Sequence, residues 1–379
     1  MKILHLLYES EGDYFGIGGV GVRAYEIYRR LKDRHDITLL CKRYPGARDS
    51  RIQGLRHIYA GAESRSLTVT LLAYARQASR YVREHGADYD IIVEEFSPAI
   101  PTFLDSYHDR VVVLQAQGYT GAKYFAKYNP LYSTVLYLAE RIRPSRYRTI
   151  ILVSEASRKR YGLDDSEGRR ISVISNGIPE GLLGVRPGSS KYILYMGRID
   201  IHTKGLDILL RAYREFRSCH EDIGLVIAGD GRDRKRFSAL INGLPEKARS
   251  GIRQEGWVDG EDKTRLLSNA LLVVAPSRHE TQGIVTLEAM ACGKALVVSD
   301  IPELGHAVTC GAGISFRSED ASALAAALTS LMNGHDLQAM GQRGREWVKD
   351  YTWDSVALRF EAYLLSVLDN ARAVPPQSL

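Results

Sequence analysis

Short apolar runs alternate with stretches of helical periodicity along most of the chain. Such runs are typical of strands buried on both faces. They occupy residues 2–7, 36–41, 89–93, 110–114, 149–153, 171–174, 191–196, 223–228, 271–275, 295–298 and 313–316. Helical spacing of apolar residues predicts helices at residues 22–31, 68–85, 131–142, 205–219, 232–241, 262–269, 284–291, 320–332 and 354–370. This alternation predicts an α/β fold with parallel sheets and helices on both faces.

The length of the chain and one weakly patterned segment predict two domains. At 379 residues the chain exceeds one ordinary core. Residues 179–191, PEGLLGVRPGSSK, are rich in Pro, Gly and Ser and lack periodicity, which is typical of a linker. We therefore expect an N-terminal domain over residues 1–180 and a C-terminal domain over residues 190–350. We expect the last helix, 354–372, to pack back on the first domain.

Composition narrows the class of protein. The chain is 45% hydrophobic and 25% charged, as in soluble globular proteins. No apolar stretch approaches the roughly 20 residues that span a membrane. A strand is predicted from residue 2, so no signal peptide is expected. The four cysteines lack metal-ligand or disulfide spacing, so we expect reduced thiols in a cytoplasmic protein.

The charge balance favours an anionic partner. The net charge of +6 is compatible with nucleic acid, an anionic membrane surface or a phosphorylated small molecule. Positive charge is concentrated in residues 141–148, RIRPSRYR, and 157–160, SRKR. No nucleic-acid-binding motif accompanies these segments, so no nucleic acid partner is expected.

Residues 16–21, GIGGVG, match the G-x-G-x-x-G pattern of dinucleotide-binding turns. In such a site the turn follows the strand directly, and an acidic residue ends the next strand. Here the loop 8–15 separates the strand from the glycines, and the next strand ends in Lys42 and Arg43. An NADP site could use the arginine, but the long loop counts against it. The long loop therefore argues against a dinucleotide site, and the ligand of these glycines stays open at this point.

The densest chemical signal is residues 275–300, APSRHETQGIVTLEAMACGKALVVSD. A buried strand leads into a polar loop with Glu280, and Gly283 begins a helix that contains Glu288. A helix begun by glycine presents backbone N–H groups and a positive dipole end, which suits a diphosphate. Glu288 lies among apolar residues and needs partners, so we predict that it accepts hydrogen bonds from ribose hydroxyls.

A second signal lies in residues 192–213, YILYMGRIDIHTKGLDILLRAY, where Arg198 and Lys204 follow the carboxyl end of a strand. Two cations there can clamp a diphosphate and stabilise its charge as a leaving group. Taken alone, the pattern leaves open an ion pair with Asp200 or Asp207.

These segments resemble the retaining glycosyltransferases of the GT-B fold, in the family (family 4) that shares an E-x7-E motif. The matching segments are residues 18–31, 152–160, 174–178, 196–213, 225–237, 255–300 and 351–363. The resemblance covers nearly the whole chain and is more specific in its second half. It implies two Rossmann-like, doubly wound parallel-sheet domains facing across a cleft. The first would bind the acceptor and the second the nucleotide sugar.

The resemblance also implies residue roles. Arg198 and Lys204 would contact the diphosphate, Glu288 the ribose, and Glu280 the transferred sugar. Of these, Glu280, Arg198 and Lys204 would be catalytic. The further donor-binding positions that it implies are Gly18, Gly19, Gln117, Val258, Lys263, Gly283 and Ile284.

Two positions depart from the family pattern. Gln117 stands where the family usually has a histidine close to the donor sugar. Glutamine can hydrogen-bond a sugar hydroxyl but cannot carry a proton, which argues against a mechanism that needs a base there. Gln282 stands where the E-x7-E loop usually has phenylalanine. Either change can alter sugar specificity.

The resemblance implies transfer of a sugar from a UDP- or GDP-sugar to an acceptor hydroxyl, with retention of configuration, in glycan, glycolipid or glycoconjugate biosynthesis. No cofactor and no metal are expected. The D-x-D match at 88–90 precedes an apolar run and is interpreted as a strand entrance. Two alternatives stay open: a sugar-nucleotide 2-epimerase-like isomerase, and a catalytically silent nucleotide-sugar-binding protein.

The acceptor side is the least determined. The acceptor can be soluble or lipid-linked. Residues 119–160 are basic and Tyr-rich and belong to the predicted acceptor domain, so peripheral contact with the inner face of an anionic membrane is open.

Overall fold

A computed structural model of the protein describes residues 1–12, 17–107, 110–164 and 168–373. The chain forms two compact units. The first unit holds Met1–Asn176 together with the C-terminal segment from Trp353 onward, and the second holds Gly177–Thr352.

Each unit is built on one sheet. The strands are β1 Lys2–Leu7, β2 Asp36–Lys42, β3 Ser50–Ile52, β4 Leu55–Ala60, β5 Ile91–Glu95, β6 Val112–Ala116, β7 Thr149–Leu152, β8 Arg170–Val173, β9 Tyr192–Met196, β10 Gly224–Ala228, β11 Ile252–Gly256, β12 Leu272–Ala275, β13 Leu296–Ser299 and β14 Gly313–Phe316. The first sheet has the order β3-β4-β2-β1-β5-β6-β7-β8, and the second β11-β10-β9-β12-β13-β14. Every pairing is parallel except β3 with β4.

Helices cover these sheets. They are α1 Gly19–Leu31, α2 Leu67–His85, α3 Tyr124–Lys127, α4 Pro130–Ile142, α5 Glu155–Tyr161, α6 Leu206–Arg217, α7 Arg234–Asn242, α8 Glu246–Arg249, α9 Gly260–Asn269, α10 Ile284–Ala291, α11 Gly305–Thr309, α12 Ala321–Gly334, α13 Leu337–Val348 and α14 Trp353–Ala373. Within the described residues, none of them combines the length and the apolar run that a bilayer-spanning helix requires.

Strand β1 explains how the first unit is layered. Ile3 and Leu7 pack in the core that also contains α1 and α14, whereas Leu4 and Leu6 pack in the core that contains α2. Successive side chains of a strand point to opposite faces, so a strand covered on both sides is apolar throughout. This burial is why the sequence pattern located most of the strands.

The prediction of doubly wound α/β units is confirmed, but strands β3, β4 and β11, helix α13 and the short helices α3, α5, α8 and α11 were not predicted. Strands β3 and β4 form an antiparallel hairpin at one edge, which makes the first sheet mixed. Strand β11 is an edge strand whose residues are exposed or half-buried, and it therefore lacks the apolar signal. Helix α13 packs closely through Gly341, where a Cβ atom would overlap with the Gly293 carbonyl oxygen. Its buried face combines Gly341 and Gly344 with Met340 and Val348, so its apolar pattern is weak.

The segment predicted as a linker lies within the second unit. Residues Glu180–Gly184 form a 3₁₀ turn, and the Leu182 side chain is buried in the second unit's core. Helix α14 contributes Trp353, Phe360 and Leu364 to the core of the first unit. The roles assigned to residues 1–180 and 190–350 stay predictions.

Candidate functional site

Two loops meet at the carboxyl edge of the second sheet. Strand β9 ends at Met196 and β12 at Ala275, and the two strands are parallel neighbours. Their following loops therefore leave the same edge, where the Arg278 N–H donates to the Thr203 carbonyl oxygen at 3.0 Å. Ligands of open α/β sheets bind at this edge.

Lys204 and Glu280 form an ion pair across these loops. The Nζ–Oε1 distance is 2.6 Å, and the side chains are 21% and 15% exposed. The Ser277 hydroxyl donates to the same carboxylate oxygen at 2.8 Å. The structure thus brings together two residues that lie far apart in the sequence, and adds Ser277, for which no sequence motif gave a signal.

Asp200 and Asp207, the two aspartates left open as partners of Arg198 and Lys204, pair with other arginines. Asp207 pairs with Arg278, with an Nη1–Oδ1 distance of 2.8 Å. Asp200 pairs with Arg232 at 2.9 Å. Arg198 is exposed, and no carboxylate of the described residues lies within ion-pair distance of it. Among the described residues, neither aspartate is therefore the ion-pair partner of Arg198 or Lys204, the two cations predicted to contact a diphosphate.

Helix α10 begins beside this pair. Gly283 precedes it in the left-handed conformation, with φ 71°. A Cβ atom at this position would lie 2.6 Å from a methyl carbon of Leu304, so only glycine fits without rearrangement. The Thr286 hydroxyl donates to the Gly283 carbonyl oxygen at 2.6 Å, which fixes the first turn. The N–H groups at the start of α10, near Ile284, form the positive end of the helix.

Glu288 is buried in α10 with one carboxylate oxygen satisfied. Its Oε1 lies 2.6 Å from Lys263 Nζ of α9, and its side chain is 5% exposed. Its Oε2 is buried and has no hydrogen-bond partner among the described residues. Burial raises the pKa of the Glu288 carboxyl, and the neighbouring Lys263 ammonium partly opposes this rise. A buried carboxylate oxygen without a donor is costly, which makes it a strong acceptor for a ligand hydroxyl.

Two further predicted donor-binding positions, Lys263 and Val258, have different surroundings. Lys263 contacts Glu288 directly. Val258 is half-buried against the apolar cluster that includes Leu266 and Leu287. Together with Lys204, Glu280 and Gly283, these predicted positions all belong to the second unit.

In the first unit, the start of α1 carries a carboxylate from its own chain. Glu9 Oε2 accepts from the N–H groups of Gly18 and Gly21, both at 2.9 Å. Gly19 begins the helix. This position therefore accommodates a negative charge, as helix starts do, and the donor-binding roles of Gly18 and Gly19 stay predictions. Gly16, the first glycine of the motif, lies outside the described residues.

Gln117 is held by a second buried carboxylate, Glu95. Gln117 Nε2 donates to both oxygens of Glu95, at 3.2 and 3.3 Å. An ionised carboxylate only accepts hydrogen bonds, so the amide nitrogen must face Glu95 and the amide oxygen must face away. The position predicted to contact the donor sugar therefore presents an acceptor.

Glu95 is the centre of a buried polar network. Gln115 Nε2 also donates to it, and His5 Nε2 lies 3.4 Å from its Oε1. Gln115 in turn accepts from the buried Arg23 guanidinium at 3.4 Å. Burial lowers the pKa of Arg23 to about 10, so the guanidinium is still charged at neutral pH. Glu95 ends a strand and reads as an ordinary strand residue, which is why the sequence analysis missed it.

The D-x-D segment contacts the start of the sheet. Asp90 accepts from the Lys2 N–H at 2.6 Å, and Asp88 ends a short 3₁₀ turn. No group of three or more His, Cys, Asp or Glu side chains that could hold a metal ion occurs among the described residues.

Curated relatives match about half of the chain. A phosphatidyl-myo-inositol mannosyltransferase of Mycobacterium leprae is 34% identical over 182 residues, which is 45% of each protein. A glycogen synthase of Mycobacterium tuberculosis is 32% identical over 217 residues, 55% of this chain and 51% of that one. The chain thus spans about half the length of the curated relatives it matches.

Solved structures match almost the whole fold. A sucrose-phosphate synthase from Thermosynechococcus elongatus has a TM-score of 0.77 at 18% identity, covering 98% of this chain and 100% of that one. The Anabaena protein HepE in complex with UDP has a TM-score of 0.73 at 16% identity, covering 97% and 100%. At this identity the likeness concerns the fold alone, and it confirms the predicted GT-B fold.

Two family models together match most of the chain. Residues 17–181 match the model described as Glycosyltransferase Family 4, and residues 184–347 match the model described as Glycosyl transferases group 1. The matched regions include the start of α1, Gln117, the Lys204–Glu280 pair and Glu288. The chain therefore belongs to the group 1 glycosyltransferases of family 4.

Proposed function

We propose that the protein transfers a sugar from a nucleoside-diphosphate sugar to an acceptor hydroxyl with retention of configuration. The observation that carries this proposal is the buried Glu288 carboxylate, whose Oε2 has no donor within the part of the chain that the structure describes. Two adjacent ribose hydroxyls would supply that donor. A carboxylate of this kind has a clear purpose in a nucleotide site and none in an apolar core.

The diphosphate would bind between cations and the start of α10. Arg198 is exposed in the loop after β9 that also contains Lys204, which pairs with Glu280, and the α10 N–H groups add a positive dipole end. An incoming diphosphate would compete with Glu280 for Lys204. The freed Glu280 carboxylate would then accept hydrogen bonds from hydroxyls of the transferred sugar.

The proposed chemistry is a front-side substitution. The bond from the anomeric carbon to the diphosphate oxygen breaks first, and the pair of electrons leaves with the diphosphate. The acceptor oxygen then bonds to the anomeric carbon from the same face, and its proton passes to a diphosphate oxygen. Arg198, Lys204 and the α10 dipole stabilise the negative charge that develops on the leaving group. Gln117 would hydrogen-bond the donor sugar through its amide oxygen and would carry no proton.

The substrates are proposed only by class. UDP-sugars and GDP-sugars are both candidates, and the structural neighbour solved with UDP makes uridine nucleotides the first to try. The acceptor is a hydroxyl of a soluble or lipid-linked glycan precursor, in glycan, glycolipid or glycoconjugate biosynthesis. Peripheral contact with an anionic membrane is part of this proposal.

A panel of sugar nucleotides tests the proposal. Each is incubated with candidate acceptors and, separately, without acceptor, and the products are identified by mass spectrometry and NMR. We expect a glycosylated acceptor with the anomeric configuration of the donor, and a loss of turnover of roughly a hundredfold in Lys204→Ala. Lys191→Ala is the matched control, because Lys191 also pairs with a carboxylate, Asp222 at 2.9 Å, but precedes the amino end of β9.

Three outcomes would contradict the proposal. Conversion of the donor without acceptor would indicate an epimerase. Donor binding without turnover across the panel would indicate a silent binding protein. Equal turnover of Lys204→Ala and Lys191→Ala would remove Lys204 from the site.

A further inference from the structure

Helix α4 turns its most apolar side outward. Its outward stripe consists of Leu131, Val135, Leu138 and Ile142, which are between 47% and 80% exposed. The opposite, buried side contains Ser133, Leu136 and Glu140, and the Glu140 carboxylate accepts from the N–H groups of Thr120 and Gly121. A helix of a globular protein normally buries its apolar stripe and exposes its polar side. In α4 two of the three buried residues are polar, and the larger apolar stripe is exposed.

The outward stripe of α4 continues into a groove against α2. The groove has a volume of about 340 Å³ and is lined mainly by apolar side chains, including Leu71, Leu72, Pro98, Val135, Leu138 and Ile142. Phe103, which also lines the groove, is 51% exposed. Exposed apolar side chains beside an apolar groove mark a site of association.

Basic residues line the groove and follow α4 in the sequence. Arg143 and Arg146 line it, and Arg146 pairs with Asp105 at 2.6 Å. Residues 119–160 as a whole contain nine lysine and arginine residues and two glutamates. Of the two glutamates, Glu140 is buried. Arg141, Arg146 and Arg148 are exposed at the C-terminal end of α4 and just beyond it. An anionic surface with an apolar interior matches both features of this face.

We propose that the face formed by α2 and α4 docks on a bilayer that contains anionic phospholipid. The outward stripe of α4 would enter the acyl region, one hydrocarbon chain would occupy the groove, and the arginines would contact the headgroup phosphates. At 13 residues, α4 is too short to cross a bilayer and would lie in the interface. This inference locates the membrane contact named in the proposed function, and it does not require the transfer reaction.

Vesicle binding tests this inference on the full chain. Co-sedimentation is measured with vesicles of phosphatidylcholine alone and of phosphatidylcholine with phosphatidylglycerol, at low and high salt. We expect binding to the anionic vesicles that weakens with salt. The double variant Val135→Gln/Leu138→Gln should lose roughly tenfold or more in affinity. Arg148→Gln should lose roughly fivefold.

The matched control changes two exposed apolar residues of a different helix. Leu358→Gln/Leu365→Gln alters α14 at positions that are 53% and 43% exposed, and it should bind as the wild type does. Equal loss in both double variants, or no binding of the wild type to anionic vesicles, would overturn the inference. A wild-type dimer in light scattering that Val135→Gln/Leu138→Gln makes monomeric, without vesicle binding, would identify the face as a contact between copies. Because no sugar nucleotide is involved, failure here leaves the proposed transfer reaction untouched.

Discussion

Glu288 is the residue on which the proposed nucleotide site depends. It is buried, its Oε1 faces Lys263, and its Oε2 has no donor among the described residues. Burial raises the pKa of its carboxyl, so the charged form is held in the folded protein at a cost. A ligand that donates hydroxyl groups would offset this cost.

Replacing Glu288 with glutamine should change stability and nucleoside-diphosphate binding in opposite directions. At pH values above the raised pKa, the charged carboxyl lowers the free energy of unfolding. This loss disappears once the carboxyl is protonated. We expect Glu288→Gln to melt at a higher temperature than the wild type at pH 7. The difference should shrink as the pH falls toward the ordinary range for glutamate. Thermal denaturation across pH measures it.

A surface variant serves as the control for this prediction. Glu84→Gln removes an exposed carboxyl whose pKa Arg80 lowers, so it should give no such gain. Nucleoside diphosphates should stabilise Glu288→Gln less than the wild type. A variant that melts lower at pH 7, or that keeps full stabilisation by ligand, would contradict this account of Glu288.

The Glu95 carboxylate orients the Gln117 amide and accepts hydrogen bonds at the centre of a buried polar network. Truncating it leaves the amides of Gln115 and Gln117 without an acceptor, so Glu95→Ala should destabilise the first unit by about 2–4 kcal/mol. Chemical denaturation measures this loss, and Glu84→Ala is the exposed control. The isosteric Glu95→Gln should fold but let the Gln117 amide flip, which would lower turnover and leave nucleoside-diphosphate binding unchanged. A loss of nucleotide binding would contradict a role confined to Gln117.

At the residue scale, sequence motifs singled out Glu280, Glu288, Lys204 and Gly283, whose roles in ligand binding stay predictions. Ser277 and Glu9 contact residues close to them in the sequence, but no motif includes them. Glu95 was missed because its partners Gln115 and Gln117 lie about 20 residues further along the chain. The sequence also left the partner of Lys204 open between Asp200, Asp207 and a diphosphate, and the structure pairs it with Glu280.

Among the helices, α10 is the one whose first turn matters most for the proposed diphosphate site. Gly283 adopts a left-handed conformation that alanine tolerates poorly, and Leu304 leaves no space for a side chain. We expect Gly283→Ala to cost about 1–3 kcal/mol and to weaken diphosphate binding, because the first N–H groups would move. Urea denaturation and ligand titration measure the two effects. Gly334→Ala, at the end of α12 with open space around it, should change neither.

Elements buried on both faces were predictable, and edge elements were not. Strands such as β1 and β13 are continuous apolar runs because helices cover both sides of the sheet. Strand β11 lies at an edge with its residues largely exposed, so no hydrophobic pattern identifies it. Helix α13 was missed because it approaches its neighbour through glycine, which carries no hydrophobic signal.

For the whole molecule, the two units should respond separately to core mutation and to ligand. Phe360 of α14 is fully buried in the core of the first unit, where it packs edge-on against Tyr28. Phe360→Ala should destabilise that unit by about 3–5 kcal/mol, whereas Leu358→Ala, at an exposed position of the same helix, should have little effect. Calorimetry should then resolve an early transition for the first unit. A nucleoside diphosphate should raise the other transition only, and one that raised the early transition would place the nucleotide in the first unit.

The central claim is that the second unit holds the diphosphate through Arg198, Lys204 and the start of α10. Isothermal titration of the wild type, Lys204→Ala and Lys191→Ala with UDP, GDP and the corresponding nucleosides tests it directly. We expect at least one diphosphate to bind the wild type and Lys191→Ala far more tightly than its nucleoside does. Lys204→Ala should lose most of this difference. Equal binding of diphosphate and nucleoside, or an unchanged Lys204→Ala, would contradict it.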